Sequence, residues 1–356
     1  MDAHLLSDTR SVITELGDLN HRFAGKTILL TGAAGFLGGH FVHYFLALND
    51  SGQLAQPCRL IAWDNFIRGL PPWLENSRTR TDLVCETRDI VQPHTLAPVD
   101  FIIHAASIAS PTFYRKYPIE TMDANVLGLR HLLEHAVVKP VESLLFFSTS
   151  EIYGDPDPAN VPTAETYRGF VSCTGPRSCY DESKRYGETL CVNFWQARQV
   201  PVKIVRPFNN YGPGLKISDR RVLPDFFRDV LARRNIVLLS DGTATRTFCY
   251  IADAMSGYLR ALLSDHHGEP FNIGTEQPEI SMRDLAALVI EVSGQRLQVE
   301  FRQSDDSKYL TDNPQRRCPS IAKARRLLGY EPRVTLPDGL ARTYQYYLAH
   351  PTAEDK

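Results

Sequence analysis

Tyr180 and Lys184 stand four residues apart, a spacing that places both on one helix face about one turn apart. An ammonium beside a phenol stabilises the phenolate and lowers its pKa, which makes the tyrosine a usable proton acceptor near neutral pH. A Tyr-x-x-x-Lys pair by itself is common surface decoration. It gains meaning from Ser148-Thr149-Ser150-Glu151 at the end of the preceding apolar run, because those hydroxyls and that carboxylate face the same crevice. A third group precedes both. Gly32-Ala33-Ala34-Gly35-Phe36-Leu37-Gly38 follows an apolar run and opens a helical pattern; glycines there allow a tight turn and the close approach of a pyrophosphate to backbone N–H groups at the positive helix end. Asp64 ends the next apolar run, followed by Asn65. A carboxylate at that distance meets the adenine ribose hydroxyls of a dinucleotide and repels the extra phosphate of NADP, so the pattern favours NAD. An aspartate before Asn65 also starts turns readily.

These groups need strands to carry them. Short β-branched or apolar runs at 26–31 (KTILLT), 59–63 (RLIAW), 101–104 (FIIH), 143–148 (SLLFFS) and 202–206 (VKIVR) predict strands. Helical periodicity lies between several of them, at 36–48, 119–137 and 180–198. The alternation predicts an α/β fold, a Rossmann-type doubly wound parallel sheet with ligands at the C-terminal strand ends. After about Pro207 the pattern loosens, with helices expected at 223–232, 251–263, 281–292 and 320–328. The expected organisation is an N-terminal extension over 1–22, an NAD-binding domain with the catalytic residues over 23–206, and a smaller, mainly substrate-binding lobe over 207–356, some of whose elements return to the sheet.

The 356 residues, 43% hydrophobic, suffice for a large core. Thirty-nine basic against 41 acidic residues leave a formal charge of −2, with no long run of one sign; nucleic acid and membrane surfaces are therefore poor partners. Seven scattered cysteines without a C-x-x-C pair argue against a disulfide framework or structural zinc and suit a reducing cytoplasm. Residues 1–22 lack the apolar core of a signal peptide or membrane span.

Taken in order, these motifs resemble the extended short-chain dehydrogenase/reductase family over roughly residues 26–348. The resemblance implies NAD as cofactor, Thr149 on the reacting sugar hydroxyl, Tyr180 as the base and Lys184 on the nicotinamide ribose. It further implies that Asp89 and Ile90 cap the adenine, that Ala105 borders the cofactor, and that a homodimer forms through the helices carrying Asn125 and Tyr180. Longer stretches are similar to UDP-glucuronate decarboxylases: 106–111 (ASIASP), 148–156 (STSEIYGDP), 175–185 (GPRSCYDESKR), 316–321 (RRCPSI) and 327–332 (LLGYEP).

That branch implies C4 oxidation of a UDP-linked uronic acid, loss of carbon dioxide from the resulting β-keto acid, and re-reduction without a metal. Glu151 and Arg317 would orient the ring and handle the carboxylate or the proton delivered to C5, with Ser150, Asn209, Arg221 and Arg246 as further substrate contacts. Asn209 is also a natural turn former, and either arginine could be an ordinary cation. Dehydratases of the family carry Asp-Glu where this chain has Ser150-Glu151, so the donor that expels the C6 hydroxyl is missing. A 4-epimerase or 4,6-dehydratase is the rival reading, and a non-catalytic NAD-binding scaffold the rival class. The chain departs from the decarboxylase pattern at Ser183, where a glycine is usual, at Asn209-Asn210-Tyr211, and at Ile108.

Overall fold

The computed structural model describes residues 2–303 and 311–351. Its centre is a seven-stranded, all-parallel sheet built from β1 (Thr27–Thr31), β2 (Arg59–Asp64), β3 (Leu83–Thr87), β4 (Phe101–His104), β5 (Ser143–Phe147), β6 (Val202–Pro207) and a last strand, Pro270–Ile273. The strands run unbroken in apolar residues because both faces are covered. Ile28 and Leu30 enter the core on one face while Leu29 enters the core on the other, and Leu145 and Phe147 alternate with Leu144 and Phe146 in the same way. The order, last strand–β6–β5–β4–β1–β2–β3, reverses direction between β4 and β1. There the chain leaves β1 at Gly32 and β4 at Ala105, so the glycine loop opens into the crevice of the switch point.

The helices that matter for the site are α1 (Ala3–Leu16), α2 (Phe36–Asp50), α3 (Pro72–Ser77), α4 (Pro111–Lys116), α5 (Pro118–Asp123), α6 (Leu129–Val138), α7 (Ser178–Arg198), α8 (Val222–Leu231) and α9 (Ile251–Leu263). The expected single helix over 119–137 is interrupted by a π-helical turn, Ala124–Gly128, between α5 and α6. That turn seats Asn125, which is fully buried: Asn125 Nδ2 donates to Ser183 Oγ at 2.9 Å, Ser107 Oγ donates to Asn125 Oδ1 at 2.7 Å, and Ser183 Oγ donates to the Tyr180 carbonyl at 3.0 Å. Ser183, a departure from the resembled pattern, is thus used as a hydrogen-bonded wedge behind Tyr180. Asn125 itself lies inside the chain and not on an outer helix face.

Residues 1–22 hold α1 and most of the 3₁₀ segment Gly17–Phe23. Leu5, Val12, Ile13 and Leu16 are buried, Tyr250 donates to Asp8 at 2.6 Å, and Ser256 donates to Glu15 at 2.6 Å. The extension is therefore a docked helix. From 207–356, the strand Pro270–Ile273 pairs with β6, and the buried residues of α9 join the same core as β1.

Candidate active site

A cavity of about 1000 Å³ opens at the C-terminal ends of β1, β4, β5 and β6. Its wall includes Gly32, Gly35, Phe36, Leu37, Gly38 and Ala105 from the first half of the sheet, Thr149, Ser150, Glu151, Tyr180 and Lys184 from β5 and α7, and Asn209, Arg221, Arg246 and Arg317 from the chain after residue 207. Fifteen of the predicted positions thus come together from segments nearly 300 residues apart.

At the glycine end the local geometry demands glycine. Gly32 has φ +75°, and a Cβ there would lie 2.6 Å from Ala106 N and 2.7 Å from Ala105 C, a distance no side chain tolerates. Gly35 is the N-cap of α2 and offers no side-chain cap, so the first N–H groups of α2 are left for a ligand at the positive helix end. The residues fit the pyrophosphate of a dinucleotide. Asp64 lies beside this loop: its carboxylate accepts from Ala34 N at 2.9 Å and Phe66 N at 2.8 Å, and burial raises its pKa against those two backbone bonds. Asp64, Asn65, Asp89 and Ile90 are not part of the cavity wall. Asn65 accepts from Ile67 N and Asp89 from Val91 N, as turn residues do, while Ile90 is packed against Gly128.

Gly38 gives a direct test. A Cβ there would sit well inside van der Waals contact of the Gly32 carbonyl and 2.9 Å from Ala33 Cα. Gly38→Ala is expected to cost about 1–3 kcal/mol of stability through overpacking and to weaken NAD binding by about tenfold or more, equivalent to ~1.4 kcal/mol. Thermal unfolding and calorimetric titration with NAD read both; wild-type values in both would mean that the loop is not held as described.

In the centre, Tyr180 and Lys184 share one face of α7, as expected, but their electrostatics differ from expectation. Burial pushes the Tyr180 phenol up to about 12, and what opposes this is a hydrogen bond with Thr149 and then the charge of Arg221. Lys184 is turned into the core: its ammonium donates to the Phe147 carbonyl at 2.7 Å and lies 5.8 Å from the Tyr180 ring centre. Burial lowers its pKa to about 7. A desolvated lysine whose ammonium is held by a backbone carbonyl is a weaker phenolate stabiliser than the spacing implies. The Tyr180 ring itself is fixed by Tyr114, stacked at 5.1 Å and 7°.

Beside Tyr180, Glu151 Oε2 accepts from both Arg177 Nη2 and Arg317 Nη2, the latter at 2.5 Å. Burial alone would raise the Glu151 pKa, but the two guanidiniums, with Arg246 behind them, hold it below the usual carboxylate range. Arg177, Tyr114 and Asp181 had no assigned role in the sequence. Only the i, i+4 pair of Arg177 and Asp181 at the start of α7 was visible; their partners come from other segments. Arg246 is tied down: it donates to the carbonyls of Thr245, Gln315 and Pro314, so it borders the cavity as an anchored cation. Arg221 pairs with Asp219 at 2.8 Å, and Arg68 reaches the other Asp219 oxygen at 2.5 Å. Asn209 takes φ +42° and donates to the Thr247 carbonyl at 2.8 Å, so its turn role is realised.

A family model described as the NAD dependent epimerase/dehydratase family matches residues 28–274. The chain belongs to that family. Among its relatives, UDP-glucuronic acid decarboxylase 2 of Arabidopsis thaliana is 37% identical over 89% of this chain and 67% of its own, and UDP-glucuronic acid decarboxylase 1 of Xenopus tropicalis is 36% identical over 90% and 72%. Solved structures extend the comparison to other members of the family. A UDP-glucuronic acid 4-epimerase from Bacillus cereus, in complex with UDP-glucuronic acid and NAD, matches with TM-score 0.77 and 27% identity over 91% of this chain and 99% of that one. A dTDP-glucose 4,6-dehydratase from Streptomyces venezuelae with NAD bound matches with TM-score 0.79 and 26% identity over 91% and 97%. Epimerases and dehydratases thus share this fold, so the fold alone does not separate their reactions.

Proposed function

We propose that the protein converts UDP-glucuronate to UDP-xylose, an NAD-dependent decarboxylation. The observation that carries this reading is the placement of Glu151, gripped by Arg177 and Arg317, in the same cavity as Thr149, Tyr180 and Lys184. A carboxylated sugar needs cationic groups at its C6 end, and the pair of guanidiniums supplies them. The relatives named as UDP-glucuronic acid decarboxylases support the same choice.

Bound NAD supplies the redox capacity by accepting the C4 hydride and later returning it. Tyr180 takes the proton of the C4 hydroxyl, which Thr149 holds, and Lys184 steadies the phenolate and the nicotinamide ribose. Oxidation at C4 leaves a ketone β to the C6 carboxylate; the C5–C6 bond then breaks, carbon dioxide leaves, and the electron pair passes into the enolate. Glu151 and Arg317 orient the ring and manage the proton that C5 gains. Tyr180 returns its proton to the C4 oxygen at re-reduction, so one proton is consumed overall. Ser150 offers no acid to expel a hydroxyl, which disfavours dehydration. The lobe after residue 207, with Asn209, Arg221 and Arg246, receives the nucleotide end of the substrate, and Asp64, Asn65, Asp89, Ile90 and Ala105 border the adenosine half of NAD.

The seven free cysteines support a reducing, cytoplasmic setting, and among the described residues no helix is long and apolar enough to cross a membrane. A homodimer through α5, α6 and α7 is supported by exposed Ile119, Leu127 and Tyr186 on that side of the chain. The reaction is tested by mass spectrometry of UDP-glucuronate incubated with the protein and NAD. The product is expected to lose the mass of one carbon dioxide; a product of unchanged mass with an altered sugar configuration would establish a 4-epimerase instead.

A further inference from the structure

Arg177 and Asp181 bracket Tyr180 at the start of α7. Asp181 Oδ2 lies 3.6 Å from Arg177 Nε, and both side chains are largely buried, at 6% and 13% exposure. The far end of the same guanidinium, Nη2, donates to Glu151, which Arg317 holds from the other side. A line of alternating charge therefore runs Asp181, Arg177, Glu151, Arg317. Asp181 is not part of the cavity wall, so it meets Arg177 from behind. Its Oδ1 is buried and accepts no hydrogen bond, and the Tyr114 hydroxyl and Arg177 Nε are likewise buried without one. A buried carboxylate oxygen left unpartnered is costly, and such a group calls for a reason, of which a role in the site's chemistry is one.

We propose that Asp181 is a positioning residue of the reaction: its carboxylate fixes Arg177 from the protein side, so that Glu151 keeps one orientation between two guanidiniums when a carboxylated sugar enters. This role rests on the decarboxylase reading. Without Asp181, Arg177 is free to turn towards the substrate carboxylate and release Glu151. The groups that face Asp181 are Glu151 and Arg317 from outside α7, Tyr114 from α4, and Arg177, Cys179 and Tyr180 from its own first turns. Burial and then the charge of Glu151 push the Asp181 carboxyl up to about 7, against the pull of Arg177 and Arg317. The anchor is therefore ionised above about pH 7 and lost below it, within the range where an enzyme of this kind is assayed.

The test compares the pH dependence of kcat on UDP-glucuronate for wild type and Asp181→Asn, with thermal unfolding as a control. Above neutrality Asp181→Asn is expected to be slower by on the order of tenfold, the scale of one charge-assisted contact. Below neutrality the two profiles are expected to converge, because protonation has already removed the anchor in the wild type. Lys184 titrates in both proteins and cancels in the ratio. A constant ratio across the pH range overturns the proposal, since loss of mere structure would scale every point alike. Should Asp181→Asn not fold, Arg177→Lys, which keeps the charge but loses the two-ended guanidinium, is expected to show the same pH-dependent ratio. A wild type that binds UDP-glucuronate without releasing carbon dioxide overturns the reaction reading together with this role, whereas an active wild type with an unaltered variant profile overturns this role alone.

Discussion

Tyr180→Phe is expected to abolish C4 oxidation while leaving the fold and NAD binding intact. Only one oxygen is removed. The ring keeps its stack on Tyr114 and its place in the core, and the Lys184 ammonium keeps its carbonyl partner on β5. What disappears is the group proposed to accept the C4 proton, a contribution of about 10²–10⁴-fold for general-base catalysis. Turnover is read from product formation, and the first half-reaction from the absorbance of reduced nicotinamide in a single turnover; both should fall together. In the wild type the oxidation rate should rise with pH across the neutral range, because the phenol is held near 12 by burial and is mostly neutral there, and this dependence should vanish in the variant. A Phe variant that still reduces the nicotinamide at the wild-type rate would sink the assignment of Tyr180 as base.

How much of this site could be read from the chain depends on how local each signal is. The glycine loop, Asp64 and the Tyr180–Lys184 pair are compact patterns, and strands β1, β2, β4, β5 and β6 are continuous apolar runs because both their faces are covered. The helix Ile251–Leu263 lies where its periodicity places it. Two strands of the seven-stranded sheet were not legible, for physical reasons. Leu83–Thr87 is a sheet-edge strand with only Leu83 fully buried, and Pro270–Ile273 is four residues long and starts on a proline, which is tolerated because it lies at the sheet's other edge. Helix α1 did leave a trace, since Leu5, Val12, Ile13 and Leu16 lie on one helical face, but its polar interruptions resemble a tail until the surface it covers is known. The electrostatics were the least legible. Spacing places Lys184 next to Tyr180 but cannot say that the ammonium turns to the Phe147 carbonyl, nor that Arg177 and Arg317, 140 residues apart in the chain, converge on one oxygen of Glu151.

That convergence makes Glu151→Gln the second large effect. The substitution keeps the shape and removes the charge, so two buried guanidiniums, 13% and 10% exposed, lose their shared counter-ion. The new amide also turns an N–H₂ towards groups that only donate. Breaking a buried pair by removing one partner costs about 3–5 kcal/mol, and with two cations sharing one carboxylate the loss should lie in that range at pH 7. The sign of the pH dependence follows from the lowered Glu151 pKa. A carboxyl whose folded-state pKa lies below its unfolded value contributes fully above the unfolded value, 4.5, and loses that contribution as pH falls through the depressed folded value. Denaturant midpoints of wild type and variant should therefore differ most at neutral pH and draw together in acid. In catalysis the variant should lose product formation by on the order of a hundredfold, the equivalent of ~2.7 kcal/mol, and more than it loses nicotinamide reduction, because the role proposed for Glu151 lies in the steps after C4 oxidation. Equal losses in both half-reactions would place Glu151 at the C4 hydroxyl with Thr149. A stable and fully active Glu151→Gln would show that the two arginines hold the sugar without it, and the assignment of the decarboxylation chemistry to this carboxylate would fall.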